Sequence, residues 1–156
     1  AEFTDASFFR AKFTDANFSA AEFTQNANFS AAEFTDASFF RAKFTDANFF
    51  RAKFIEASFF RAEFTQNANF SAAEFNGNAD FHKAVFENKP KFEYTLYNLT
   101  YKARFSHKVE PEDYNFKVSH DSPCIIETEE QEHNGVRFVI PKGTELFDPD
   151  DPFEQD

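Results

Sequence analysis

Phenylalanine recurs at a nearly constant interval of five residues through the first half of the chain. Seventeen such residues run from Phe3 to Phe86, with thirteen steps of five residues and three steps of six. An Ala stands two positions before every one of them. Five residues advance an α-helix by about 140°, which spreads these side chains around every face. A flat strand alternates with period two, so an odd step sends successive Phe to opposite sides.

The pattern is consistent with a chain that turns a corner once in every unit. Each Ala-x-Phe is then a short extended piece with Ala and Phe pointing inward, and the next two residues form the turn. Repeated turns in one direction wind the chain into coils that stack at about 4.8 Å, the spacing between hydrogen-bonded strands. Phe then stacks on Phe inside a tube, and Ala fills the positions where a larger residue would not fit.

The units resemble those of the pentapeptide-repeat family, a small residue, a polar residue, Leu or Phe, and two variable positions. Ala1-Glu2-Phe3-Thr4-Asp5 and Ala16-Asn17-Phe18-Ser19-Ala20 match that pattern directly, and the resemblance covers residues 1 to about 88. It implies an all-β fold, a right-handed quadrilateral β-helix with four units per coil. The three six-residue steps, at Gln25-Asn26, Gln66-Asn67 and Asn76-Gly77-Asn78, are expected as bulges at corners.

With four units per coil, every fourth unit lies on the same face. On the third face the residue before the core Phe alternates in charge, and the series is Lys12, Glu33, Lys53 and Glu74. Such a column predicts an exposed charge ladder, in which each neighbouring pair contributes about 0.2–1 kcal/mol.

Four Phe fall outside the core register, and each is followed by Arg. The pairs are Phe9-Arg10 and Phe50-Arg51 on the second face, and Phe40-Arg41 and Phe60-Arg61 on the fourth. These Phe are predicted to point outward. Exposed aromatic rings beside Arg are typical of protein–protein interfaces, so these eight residues are the candidate protein-binding site. The alternative is that each Arg covers its ring by cation–π packing, with no partner involved.

The sequence gives no indication of catalysis, a cofactor or a metal site. The repeats contain no phosphate-binding loop, zinc-ligand pair or nucleophile–base signature, so no enzyme is predicted. His120 and Cys124 have no second ligand pair at a suitable spacing. Net charge is −3 over residues 1–86 and −8 over residues 87–156, which argues against direct binding to nucleic acid.

Residues 89–156 are predicted to be a small β-rich cap. Residues 91–106 alternate in part, as expected for strands or for a degenerate coil that closes the tube. The runs Cys124–Thr128 and Val136–Ile140 predict a hairpin that turns at Asn134-Gly135. An acidic end, residues 147–152, is expected to be a linker or disordered tail.

The leading functional prediction is a non-enzymatic scaffold or interaction module that presents the Phe/Arg faces to a protein. The resemblance to the repeat family supplies an alternative, a DNA mimic that binds gyrase, and a further alternative is an inert rod or an excerpt of a larger protein. The sequence opens in full register at Ala1, so we expect further coils upstream or end-to-end self-association. It contains no Met and no membrane-spanning run, so we expect a soluble, processed or excerpted chain, and the compartment stays open.

Overall fold

A computed structural model describes residues 1–151 of the chain, and its regular structure is built from strands. Strands β1 to β11 lie at Glu2–Ser7, Lys12–Thr14, Glu22–Asn28, Glu33–Ser38, Lys43–Asn48, Lys53–Ser58, Glu63–Phe64, Ala68–Asn69, Glu74–Phe75, Ala79–Asp80 and Val85–Phe86. Strands β12 to β18 lie at Glu93–Leu96, Leu99–Lys102, Arg104–Ser106, Tyr114–Asn115, Thr128–His133, Val136–Pro141 and Glu145–Phe147. A 3-10 turn occupies Pro111–Asp113.

Strands on successive coils pair in parallel and keep equivalent residues in register. Phe3 is opposite Phe23, and Phe23 is opposite Phe44. The predicted β-solenoid with four units per coil is therefore confirmed. Four columns of stacked Phe run along the tube: Phe3, Phe23, Phe44, Phe64 and Phe86; Phe8, Phe29, Phe49, Phe70 and Phe92; Phe13, Phe34, Phe54, Phe75 and Phe105; Phe18, Phe39, Phe59, Phe81 and Phe116.

The rings meet in two geometries. Along a column they are nearly parallel, and the Phe44 and Phe64 centroids are 4.9 Å apart with an interplanar angle of 6°. Across the tube they meet edge to face, as Phe49 and Phe59 do at 5.5 Å and 86°. Aromatic pairs favour offset-stacked and edge-to-face arrangements, so each inner ring has stabilising contacts in several directions. From Ala21 onward, the inward Ala of the repeat units are also buried.

Tight turns form the corners that follow the second and fourth faces. In the third coil the Ala52 N–H donates to the Phe49 carbonyl at 3.0 Å, and Arg51 between them has a φ of 60°. A positive φ at this position defines a type II turn. The side chain of Asn48 accepts a hydrogen bond from the Phe50 N–H at 2.9 Å. Asn or Ser before the core Phe therefore favours the turn by satisfying a backbone donor.

The six-residue units form local irregularities, and the core Phe stay on their predicted faces. Between Phe23 and Asn26 the pairing with β5 shifts by one residue and then resumes, as at a β-bulge. At Gly77, φ is 145°, and an added Cβ would lie 2.8 Å from the backbone nitrogen of Glu56. Gly is required there both by conformation and by close backbone approach.

The Phe columns continue past residue 88 into a fifth, interrupted coil. Phe92, Phe105 and Phe116 stack on the fourth-coil rings of their faces. An antiparallel hairpin, β12–β13, is inserted between Phe92 and Phe105. The Ala103 N–H donates to the Phe92 carbonyl at 2.8 Å and closes the base of this insertion. The Phe core itself continues to Phe116. The domain boundary at residue 88 stays a prediction.

Larger residues replace the inward Ala on two faces of the fifth coil. Pro90 and Tyr114 occupy the position two residues before Phe92 and Phe116, and both are buried. The Tyr114 hydroxyl donates to the Ser106 carbonyl at 2.8 Å, and burial raises the pKa of Tyr114 well above its usual value. A bulky residue is accommodated here because no further regular coil stacks on these faces.

The end of the core is covered by the remaining strands. Hairpin β16–β17 turns at Asn134-Gly135 as predicted and buries Phe138 and Ile140. The expected strand at Cys124–Thr128 is wrong, because a two-residue turn pairs Val136–Pro141 with Thr128–His133 instead. Strand β18 adds in parallel to β14 on the third face.

The acidic end is anchored as far as the structure describes it. The Lys108 ammonium lies 3.2 Å from Asp148 and 2.6 Å from Asp150. Residue 152, the last of the predicted tail, lies outside the described residues, as do residues 153–156.

Replacing one ring in the middle of a column tests the core. Phe44 is 1% exposed, so Phe44→Ala should lower the free energy of unfolding by about 3–5 kcal/mol. Phe9→Ser is the control, because Phe9 is 52% exposed and should cost under about 1 kcal/mol. Chemical denaturation measures both, and similar losses at the two positions would contradict the inward and outward assignment.

Candidate protein-binding surface

An aromatic ladder follows the fourth face on the outside of the tube, formed by Phe40, Phe60 and His82. The Phe40 and Phe60 centroids are 5.5 Å apart at an interplanar angle of 9°. His82 stacks on Phe60 at 5.7 Å and 17°. All three side chains are half-buried. The outward direction comes from the turn, because each residue follows a core Phe directly and begins the corner.

A guanidinium group lies over each ladder Phe. Arg41 is 5.4 Å from the Phe40 centroid, and Arg61 is 5.5 Å from that of Phe60. These are cation–π distances. The ladder therefore presents aromatic edges beside fixed positive charges, and Lys83 follows His82 at the corresponding position.

The two Phe/Arg pairs of the second face lie in different surroundings. Phe9 is the more exposed of the two Phe rings, and Arg10 lies 5.1 Å from its centroid. Phe50 packs against two rings of the inserted hairpin, Tyr94 at 5.7 Å and Tyr101 at 5.6 Å. The hairpin thus lies along the second face and covers Phe50.

Arg51 joins the same contact. Its guanidinium is 5.4 Å from the Phe50 centroid and 5.5 Å from that of Tyr101. The structure therefore brings Phe40, Arg41, Phe60 and Arg61 together, pairs Phe50 and Arg51 with the hairpin, and leaves Phe9 and Arg10 apart from both groups.

Three participants were not identified from the sequence. His82 has a detectable signal, because it occupies the same position in its unit as Phe40 and Phe60. Tyr94 and Tyr101 flank a two-residue turn at Tyr97-Asn98 in an alternating run, which is a hairpin signal. Nothing in the repeat pattern indicates that this hairpin folds back onto Phe50.

The charge ladder of the third face is longer than the repeat predicts. Lys12, Glu33, Lys53 and Glu74 stack as expected, and the alternation continues through Arg104 and Glu145. Lys12 lies 4.0 Å from Glu33, and Arg104 lies 3.1 Å from Glu74. The Arg104–Glu74 pair is mostly shielded from solvent and joins the fourth coil to the fifth.

The histidines and the cysteine of the cap lie in separate places, and the pair considered from the sequence was His120 and Cys124. His107 and His133 stack with ring centroids 3.7 Å apart, whereas His120 is exposed beside Asp121. The Cys124 thiol lies 3.6 Å from the Glu87 carbonyl oxygen. Residues 1–151 contain no cluster of three or more His, Cys, Asp or Glu placed to hold a metal ion.

The two ends of the Phe columns differ in exposure. The first-coil rings Phe3, Phe8, Phe13 and Phe18 are only half-buried, whereas the rings of the next three coils are almost fully buried. Self-association at this end stays a prediction. Within the described residues, no helix has the length and apolarity needed to cross a bilayer.

Removing the Phe50 ring should release the hairpin without unfolding the rod. Phe50→Ser deletes two aromatic contacts worth about 0.5–1.5 kcal/mol each. We therefore expect amide hydrogen exchange at the hydrogen-bonded positions within residues 93–102 to accelerate severalfold or more, with little change in the first three coils. Phe60→Ser is the matched control, since it removes an outward ring that touches no hairpin. Unchanged exchange in the Phe50→Ser hairpin would contradict the contact.

Comparison with known proteins agrees with this geometry. The family model for pentapeptide repeats matches residues 1–39 and 27–66, with eight copies of the repeat. No curated protein and no solved structure matches the chain. The matched residues form the first coils of the solenoid, which the register of Phe on Phe defines independently. The N-terminal solenoid of this chain is therefore built of pentapeptide repeats, which the family model matches over residues 1–66.

Proposed function

We propose that this protein is a non-enzymatic scaffold that docks a protein partner on the aromatic ladder of its fourth face. The pentapeptide-repeat solenoid supports a structural or interaction scaffold, and the family with this fold is generally non-enzymatic. The proposed docking surface comprises Phe40, Arg41, Phe60 and Arg61.

One observation carries the choice of this surface: two outward Phe rings stack on each other and remain accessible. A ring that served only to hold the tube together would lie in a core column, and those columns are already complete without Phe40 and Phe60. Aromatic and Arg side chains dominate the energetic centres of protein interfaces. The stacked rings and overlying guanidinium groups are held in place before binding, which lowers the entropy lost on association.

The second face is a weaker candidate for the same role. Phe50 has its aromatic partners within the chain, Tyr94 and Tyr101. Phe9 is exposed but has no stacked neighbour equivalent to Phe60, because Ser30 occupies the same position one coil further on.

Charge does not favour imitation of DNA. The five coils extend about 24 Å at the strand spacing, and duplex DNA of that length carries about 14 negative charges. Residues 1–86 hold eleven acids and eight bases, and residues 87–116 hold five of each. The fifth coil therefore lengthens the rod without making it more acidic.

A paired variant tests the docking surface. We expect Phe40→Ser/Phe60→Ser to abolish capture of a partner that the unmodified chain retains from host lysate, as identified by mass spectrometry. Phe9→Ser is the control, since it removes an exposed ring beside Arg on another face and should leave capture intact. All three proteins are compared below the onset of thermal unfolding.

The outcomes separate the alternatives. A partner retained equally by all three proteins would place the docking site elsewhere and contradict the proposal. Absence of any captured protein would favour a purely structural rod. Loss of capture in both Phe40→Ser/Phe60→Ser and Phe9→Ser would indicate a general effect of removing exposed rings, which also contradicts a site on the fourth face.

A further inference from the structure

A groove of about 1230 Å³ runs along the rod between the third-face charge ladder and hairpin strand β13. It lies on a different side from the aromatic ladder, so a ligand in this groove is independent of a partner docked on the fourth face. Its charged lining consists of six bases and three acids: Arg10, Lys12, Arg51, Lys53, Lys102, Arg104, Glu33, Glu74 and Glu145.

The positive excess of the groove comes from three residues. Lys12, Lys53 and Arg104 alternate with Glu33, Glu74 and Glu145 in the ladder, so their charges balance. Arg10, Arg51 and Lys102 form no ion pair within the described residues. Glu93, which is opposite Lys102 in the hairpin, has its carboxylate against Gly143. A net excess of three positive charges therefore faces one groove of a chain whose net charge is −11.

The second property of the groove is an unpaired strand edge. Within residues 1–151, strand β13 pairs with β12 alone. The hairpin has a two-residue turn with φ values of 50° at Tyr97 and 64° at Asn98, which makes Leu96 and Leu99 a hydrogen-bonded pair. Pairs alternate along an antiparallel ladder, so the main-chain groups of Thr100 and Lys102 face away from β12.

The bond at the base of the hairpin supports this alternation. Phe92 and Ala103, which follow the Glu93–Lys102 pair, are joined through the Ala103 N–H and the Phe92 carbonyl. Thr100 and Lys102 make no backbone hydrogen bond outside the hairpin within the described residues, and both are exposed. Such an edge can accept another extended segment.

We propose that this groove binds an extended acidic segment of a partner protein, which adds as a strand to the free edge of β13. Main-chain hydrogen bonds to Thr100 and Lys102 hold the segment, and the positive charges of Arg10, Arg51 and Lys102 around the groove attract its carboxylates. A polypeptide fits both properties at once, because it supplies backbone donors and acceptors as well as negative charge. Leu99, which is 61% exposed at the end of β13, provides an apolar contact for an alternating sequence.

The test uses a fluorescein-labelled ten-residue peptide of alternating Glu and Val, with binding followed by fluorescence anisotropy. Arg10→Glu/Lys102→Glu should raise the Kd at least tenfold. The control is Lys43→Glu/Lys83→Glu, which makes the same charge change on another side of the rod. It also matches in backbone setting, because Arg10 and Lys83 have φ values of 61° and 59° and Lys102 and Lys43 lie in strands. The control should change the Kd less than twofold.

A second probe separates strand addition from charge alone. Two versions of the same peptide carry N-methyl groups on alternate residues, one on the Glu set and one on the Val set, and both keep their carboxylates. Because successive N–H groups of a strand point to opposite sides, only one version has its methyl groups toward β13 and cannot complete the ladder. Loss of binding is expected in the version that blocks Thr100 and Lys102. Equal binding of both methylated peptides would overturn strand addition. Equal weakening by the two charge-reversal variants, or no effect of either, would overturn the groove as the site.

Discussion

Stacking of Phe on Phe along the tube is the interaction on which the rest of the structure depends. The spacing of hydrogen-bonded strands is about 4.8 Å, and the rings of neighbouring coils lie at nearly the same distance, for example 4.7 Å between Phe64 and Phe86. Backbone pairing and ring stacking therefore require the same register. A slip of one residue would place a turn residue in the core, so every column keeps its Phe even where a unit is one residue longer.

This constraint explains which parts of the fold could be predicted from the sequence. An invariant Ala-x-Phe unit fixes the inward residues, the four faces and the outward position of Phe40 and Phe60. The fifth coil keeps the Phe but loses the period, because a hairpin separates Phe92 from Phe105. Stacking identifies Phe105 as a core residue, and past residue 88 only Ala103, two positions before it, retains the repeat signature. The location of the hairpin on Phe50 depends on contacts between residues far apart in sequence, which a local pattern cannot specify.

The stacking of coils in register also determines how side chains are arranged on the outside of the rod. Equivalent positions on successive coils lie one above another, so any residue type that recurs every four units becomes a column. Phe40, Phe60 and His82 become a stacked ladder, and alternating Lys and Glu on the third face become a charge ladder that Arg104 and Glu145 extend. The inserted hairpin then divides the surface by covering Phe50 and forming one side of the basic groove. The aromatic ladder thus arises from the repeat, and the basic groove arises from the hairpin that interrupts it.

Native-state hydrogen exchange measured residue by residue tests most directly whether the Phe core continues into the fifth coil. The Arg104 N–H donates to the Ala73 carbonyl and the Glu74 N–H to the Ala52 carbonyl, at 2.8 and 2.9 Å. We expect comparable protection at these two amides, with free energies of opening close to that of global unfolding, and fast exchange at Thr100 on the free hairpin edge. Exchange of Arg104 as fast as that of Thr100, with Glu74 still protected, would show that the solenoid ends before the fifth coil.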